Sequence, residues 1–167
     1  MNSLIQQFGD ILKSTQELRN DLMTVLTDDD LAYQLPGRNG TLGELCREMG
    51  DIQQAYIEGF KTFKQDFMGH QAGPEYATQV NKLKAWYDEL DQALLAVLEG
   101  LSEEDLQQPV DRGHGFAPPA LLNFHIYREA LLIFYAKVHI YLKALEKSVP
   151  GRWQWWIGDK ADWLAAT

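Results

Sequence analysis

His125 and Glu129 stand four residues apart inside residues 120–145 (ALLNFHIYREALLIFYAKVHIYLKAL), the most apolar stretch of the chain. On a helix that spacing puts an imidazole and a carboxylate on one face, a turn apart, where they can converge on one ion, one proton or each other. A second helical pattern carries another carboxylate. Glu48 follows Leu45 by three residues and precedes Ile52 by four, so it flanks an apolar seam and is expected to point toward the interior. A carboxylate there needs a cation, a proton or hydrogen-bond donors.

The elements that must position these groups are helices. Leu4, Phe8, Ile11, Leu18, Leu22 and Val25, broadened by Ile5, Leu12 and Leu26, give a first amphipathic helix. Thr27 and the three aspartates after it cap a short turn that ends before the Pro36–Gly40 loop. Thr41-Leu42-Gly43-Glu44 is a capping-box pattern that opens a second helix, expected to run through Met49, Ile52, Tyr56, Phe60 and Phe63 to Phe67. Val80, Leu83, Tyr87, Leu90, Leu94, Val97 and Leu101 alternate by three and four along a third. Ser102 to Leu106 reads as another capped turn, and Pro118-Pro119 lead into the fourth helix. That fourth helix is apolar on most sides, so other helices must surround it. The fold class is therefore all-α, a four-helix bundle with short capped turns between helices.

Residues 26–31 (LTDDDL) echo 101–106 (LSEEDL), and each precedes a Pro/Gly-rich loop and a long helix, so the chain reads as two similar halves. Continuing the match with a two-residue insertion pairs Glu48 with His125, which supports one site between the second and fourth helices. Residues 148–167 form a tail containing Trp153, Trp155, Trp156 and Trp163, expected to seal the bundle end or a dimer contact, or to wall a pocket mouth.

A chain of 167 residues with 46% hydrophobic and 23% charged residues is long enough to bury one ordinary core. Its net charge of −9 repels phosphate and anionic surfaces, so neither nucleic acid nor membrane is expected as a partner. One cysteine, Cys46, excludes an internal disulfide, and no basic leader or long apolar run precedes the bundle; the reading is a cytoplasmic protein. Cys46, beside the seam, reads as a small buried hydrophobe, His139 as a packing or surface residue, His114 as a loop residue, and Asp28 to Asp30 as capping charge. Glycine-rich phosphate loops, CxxC pairs and Ser/His/Asp spacings are absent.

The second-helix opening TLGEL and the fourth-helix run LLNFHIYRE, after a Gly/Pro-rich loop, resemble the DinB-like (DinB/YfiT) four-helix-bundle superfamily over residues 1–147. The resemblance implies a divalent metal held by three histidines, one early in the second helix and two in the fourth. By position these fall on Glu48, His125 and Glu129, and only His125 keeps the usual identity. Two carboxylates and an imidazole suit zinc, manganese, iron or nickel, with manganese and iron gaining on zinc. The implied activity is a metal-dependent enzyme acting on a small molecule, by thiol transfer or hydrolysis, with Tyr56 and Arg128 in the pocket. The alternative is a non-catalytic bundle without metal, in which Arg47 or Arg128 pairs with Glu48 or Glu129 and the pocket binds a ligand or a protein. A homodimer is expected in either case.

Overall fold

The computed structural model describes residues 2–157. Four long helices, α1 (Ser3–Val25), α3 (Leu42–Thr62), α4 (Val80–Gly100) and α5 (Ala120–Ala144), are joined by the single-turn helix α2 (Asp28–Leu31) and two 3-10 turns, Pro74–Ala77 and Asp105–Gln107; α6 (Trp153–Trp156) follows. The described residues contain isolated bridges but no strand.

Caps set the helix starts. Asn2 accepts from the Ile5 amide while its side-chain NH2 donates to the Leu98 and Leu101 carbonyls at 2.7 Å, tying the start of α1 to the end of α4. Reciprocal capping boxes open α2 (Thr27 with Asp30) and α3 (Thr41 with Glu44). Ser102 and Asp105 repeat the same exchange in the second half of the chain. The second long helix is shorter than its apolar spacing predicts. It stops at Thr62 because Phe63 turns left-handed at φ 56°, so Phe67 belongs to the following segment.

Contacts along the helices fix their directions. Gln16 and Arg19 reach Asp91, while Asn2 reaches Leu98 and Leu101, so α1 and α4 are antiparallel. Tyr87 Oη donates to the Cys46 carbonyl at 2.6 Å and Gln53 Nε2 to Asp91 at 2.9 Å, so α3 and α4 are parallel. Phe8 meets Phe124, and Tyr135 Oη donates to the Thr15 carbonyl, so α5 runs with α1. It therefore runs against α3, and the Tyr56 and Tyr127 rings lie 5.1 Å apart where those two helices cross.

Parallel α3 and α4 need a connection as long as the bundle, and residues 63–79 provide it. The Gln65 amide donates to the Asp111 carbonyl at one end, the Ala72 amide to Asp51 midway, and the Val80 amide to Asp28 at the other. The returning chain presses on Gly43, where an added Cβ would lie 1.8 Å from the Ala77 carbonyl oxygen.

The core is apolar on all four long helices: Leu12, Leu18 and Leu22 from α1, Met49, Ile57 and Phe60 from α3, Leu83, Leu90 and Leu94 from α4, and Phe124, Leu131 and Val138 from α5. Cys46 is fully buried in it and His139 is buried as well. Trp153 closes one end with no exposed surface, its indole N–H donating to the Leu18 carbonyl at 2.8 Å, whereas Trp155 is 73% exposed. Trp163 lies outside the described residues. Among the described residues, α1, α3 and the Asp105–Gln107 turn pack against α5, while Leu122, Ile133 and Ile140 on its outer face are exposed, so helices cover it on two sides.

Candidate functional site

Glu48 does not face the interior; it is exposed on the outer groove between α3 and α5. The reason is that flanking a stripe by one position leaves a side chain at its edge, and Arg47 and Glu48 fall on the outer side of the Leu45–Met49–Ile52 seam. Because α3 and α5 are antiparallel, Glu48 lies level with Lys137, with which it lines one groove of about 160 Å3 alongside Leu45, Met49, Ile52, Ala130, Ile133 and Phe134. Lys137 is more than three turns from His125 along α5, about 18 Å at ~1.5 Å per residue. The repeated halves explain the misplacement. Equivalent positions on antiparallel helices lie at opposite ends unless they sit where the helices cross, and Glu48 and His125 do not.

His125 is half-buried against α1, its ring edge-on to Phe8 at 4.7 Å and to Phe124 at 5.4 Å. Burial, then the Arg128 charge, holds its pKa below the ordinary imidazole value, with Glu129 acting weakly the other way. Glu129 is exposed on the outer face of α5. Among the described residues no three His, Cys, Asp or Glu side chains are grouped to hold a metal ion. Glu48, His125 and Glu129 therefore do not fit the metal that the resemblance implies. Nor do Arg47 and Arg128 substitute for it, since neither arginine, and neither glutamate, makes an ion pair among the described residues.

The cation of the bundle core is a different residue. Arg19, fully buried, donates through Nη2 to Asp91 Oδ1 and through Nη1 to Gln53 Oε1, and its guanidinium lies 3.9 Å over the Tyr87 ring. Gln16 and Gln53 donate to the same Asp91 oxygen at 2.9 Å each. Burial opposes the Arg19 charge most strongly, but Asp91 together with Tyr127, Tyr135 and Tyr87 acts the other way and the guanidinium pKa is raised. Burial also pushes the neighbouring Tyr87, Tyr127 and Tyr135 phenols up, keeping them neutral. Sequence reading missed this centre although a signal was present. Thr15, Gln16 and Arg19 interrupt the α1 stripe between Leu12 and Leu22 at positions the helical period assigns to the core, as Gln53 does in α3 between Met49 and Tyr56.

Asp91 and Gln16 form the floor of a groove of about 540 Å3 between α1 and α4, walled by Ile5, Leu12 and Leu95 and opened by Gly9. Asp10 and Lys13 stand on its rim. Tyr56 is buried elsewhere, beneath Arg112, whose guanidinium carbon sits 5.4 Å from its ring, 5.1 Å from Phe67 and 5.7 Å from Phe116. Arg112 Nη1 donates to Asn123 Oδ1 at 3.0 Å and Asn123 Nδ2 to Gln65 Oε1 at 2.9 Å, which pins the loop before α5 to α3 and the crossover. Burial raises the Tyr56 pKa and Arg112 partly offsets it.

Two parallel pairs of long helices, a full-length crossover and two capped turns define an all-α bundle protein with an ionic core. The model of the DinB superfamily matches residues 11–130, and the chain belongs to that family. Among solved structures it is similar to a DinB-like protein of Bacillus subtilis, at 17% identity and a TM-score of 0.63 over 87% of this chain and 93% of that one. No curated protein matches. No described helix is long and apolar enough to cross a membrane.

Proposed function

We propose that this member of the DinB superfamily works by binding rather than by metal chemistry, taking a small molecule in the groove between α1 and α4. The observation that carries this is the separation of the donors: Glu48 lies level with Lys137, more than three turns from His125. One metal ion reaches ligands at about 2.0–2.3 Å, so it cannot bridge that span.

The α1/α4 groove, about 540 Å3, has the size of small-ligand pockets, about 300–1,000 Å3. The Asp91 carboxylate on its floor is held by donors from α1 and α3, so a hydrogen-bond donor on a ligand meets an acceptor already oriented. Leu12, Ile5 and Leu95 supply apolar area for the remainder of such a ligand.

Elemental analysis of tag-free protein, as purified and after dialysis against zinc, manganese, iron and nickel, tests the reading. Substoichiometric metal throughout, and a melting temperature indifferent to chelator, is the expected result. A ligand present at a thousand times its Kd would stabilise the fold by about 4 kcal/mol, so a bound metal could not escape the melting curve. One equivalent that disappears in both Glu48→Ala and His125→Ala would overturn the proposal in favour of the metal-dependent enzyme.

A further inference from the structure

Among the described residues, the outer face of α5 carries a row of exposed apolar side chains. Leu122 (48% exposed), Ile133 (56%) and Ile140 (58%) stand on it, with Ile126 half-buried between them. Ile126, Ile133 and Ile140 are spaced by seven, and Leu122 and Ala136 fill the intervening small-step positions, so the stripe has the repeat of a helix-pairing seam. It is also the face that α1 and α3 do not reach.

What covers it is indicated by its charges. Glu129 and Lys137 are exposed, stand four residues to either side of Ile133, and make no ion pair within the chain among the described residues. Glu129, Ile133 and Lys137 form one i±4 ridge, the row that packs against a like row in helix crossings. Laid antiparallel against its own copy about Ile133, this ridge meets itself reversed. Ile133 then touches Ile133 of the second copy, each Glu129 stands beside Lys137 of the other, and Ile126 stands beside Ile140. A two-fold contact makes every such match twice.

We propose that the outer face of α5 is a self-complementary interface by which two copies of this chain pair antiparallel about Ile133, with two symmetric Glu129–Lys137 contacts.

Sedimentation equilibrium on the wild type and four variants tests this, with circular dichroism melts to establish that each variant folds. The altered side chains are exposed, so folding should be unaffected. Glu129→Lys and Lys137→Glu each set like charges against one another at both symmetric contacts and should each weaken the dimer by about tenfold or more. The double reversal restores opposite charges and should bring the dimer constant back near the wild type, while Ile133→Asp should leave monomer. A wild type that stays monomeric at high micromolar concentration overturns the proposal. So does a dimer that ignores the single reversals, or one that the double reversal fails to rescue. Metal content measured on the same samples keeps the two readings separate: a metal-loaded dimer would sink the binding reading alone, and a metal-free monomer would sink the interface alone.

Discussion

Replacing Asp91 with alanine removes the acceptor shared by Gln16, Arg19 and Gln53, and leaves a guanidinium with no exposed surface and no counter-charge. Breaking a buried ion pair from one side costs about 3–5 kcal/mol because the remaining charge is uncompensated. Asp91 itself is 16% exposed at its side chain, so water reaches the gap and the lower half of that range, about 3–4 kcal/mol, is the expected loss. With a urea slope of about 2 kcal/mol per molar, the midpoint falls by about 1.5–2 M. Asp91→Asn keeps one oxygen acceptor and should lose about half as much. Replacing both members of the pair, Arg19→Met with Asp91→Leu, should cost less than the two single changes added together, since no charge is then stranded. Urea titrations followed by tryptophan fluorescence and far-ultraviolet circular dichroism measure all four variants. An Asp91→Ala loss under about 1 kcal/mol, or strict additivity in the double replacement, would refute the claim that this pair holds the core.

Other outcomes follow from single contacts. Gly43→Ala drives a methyl into the Ala77 carbonyl and should destabilise by about 2–3 kcal/mol in a thermal melt, whereas Gly100→Ala, with open space around it, should stabilise by about 0.5 kcal/mol. Burial pushes the Cys46 thiol up to about 12, so a thiol-reactive dye should leave native protein unmodified at pH 8 and label it at once in urea. The His125 pKa is depressed in the folded state, so its share of stability is present above the unfolded imidazole value, near 6.5, and is lost as pH falls through the folded value. Urea midpoints taken from pH 7.5 to 5 should fall less steeply in His125→Phe than in the wild type, and equal slopes would contradict the packing assigned to Phe8 and Phe124.

The four long helices were legible because apolar spacing of three and four reports which face of a helix is buried, and the capping pairs Thr27–Asp30 and Thr41–Glu44 mark the starts on their own. The level at which one helix meets another is not written in that spacing. It depends on the direction of each helix and on the 63–79 crossover, whose route is set by contacts such as Ala77 on Gly43. Glu48 and His125 were matched as equivalent positions of two similar halves, and that match places them at opposite ends. The end of α3 was overrun because Phe67 continues an apolar period that Phe63 breaks by turning left-handed, a conformation its side chain does not advertise. Arg19 and Asp91 were passed over because a charged residue adds nothing to an apolar spacing, even where the helical period turns it inward. Their partner on a neighbouring helix is what makes them core.

The claim that Glu48 and His125 belong to different places is tested most directly with Mn2+ as a paramagnetic probe of the amide NMR spectrum. Manganese held by both residues would broaden the amides around Glu48 and around His125 together, saturably, at one equivalent. No such joint broadening is expected, and weak effects should stay with Glu44, Glu48 and Asp51, the carboxylates that line the groove on the outer side of α3. Joint, saturable loss of the Glu48 and His125 signals, abolished in His125→Ala, would contradict the claim.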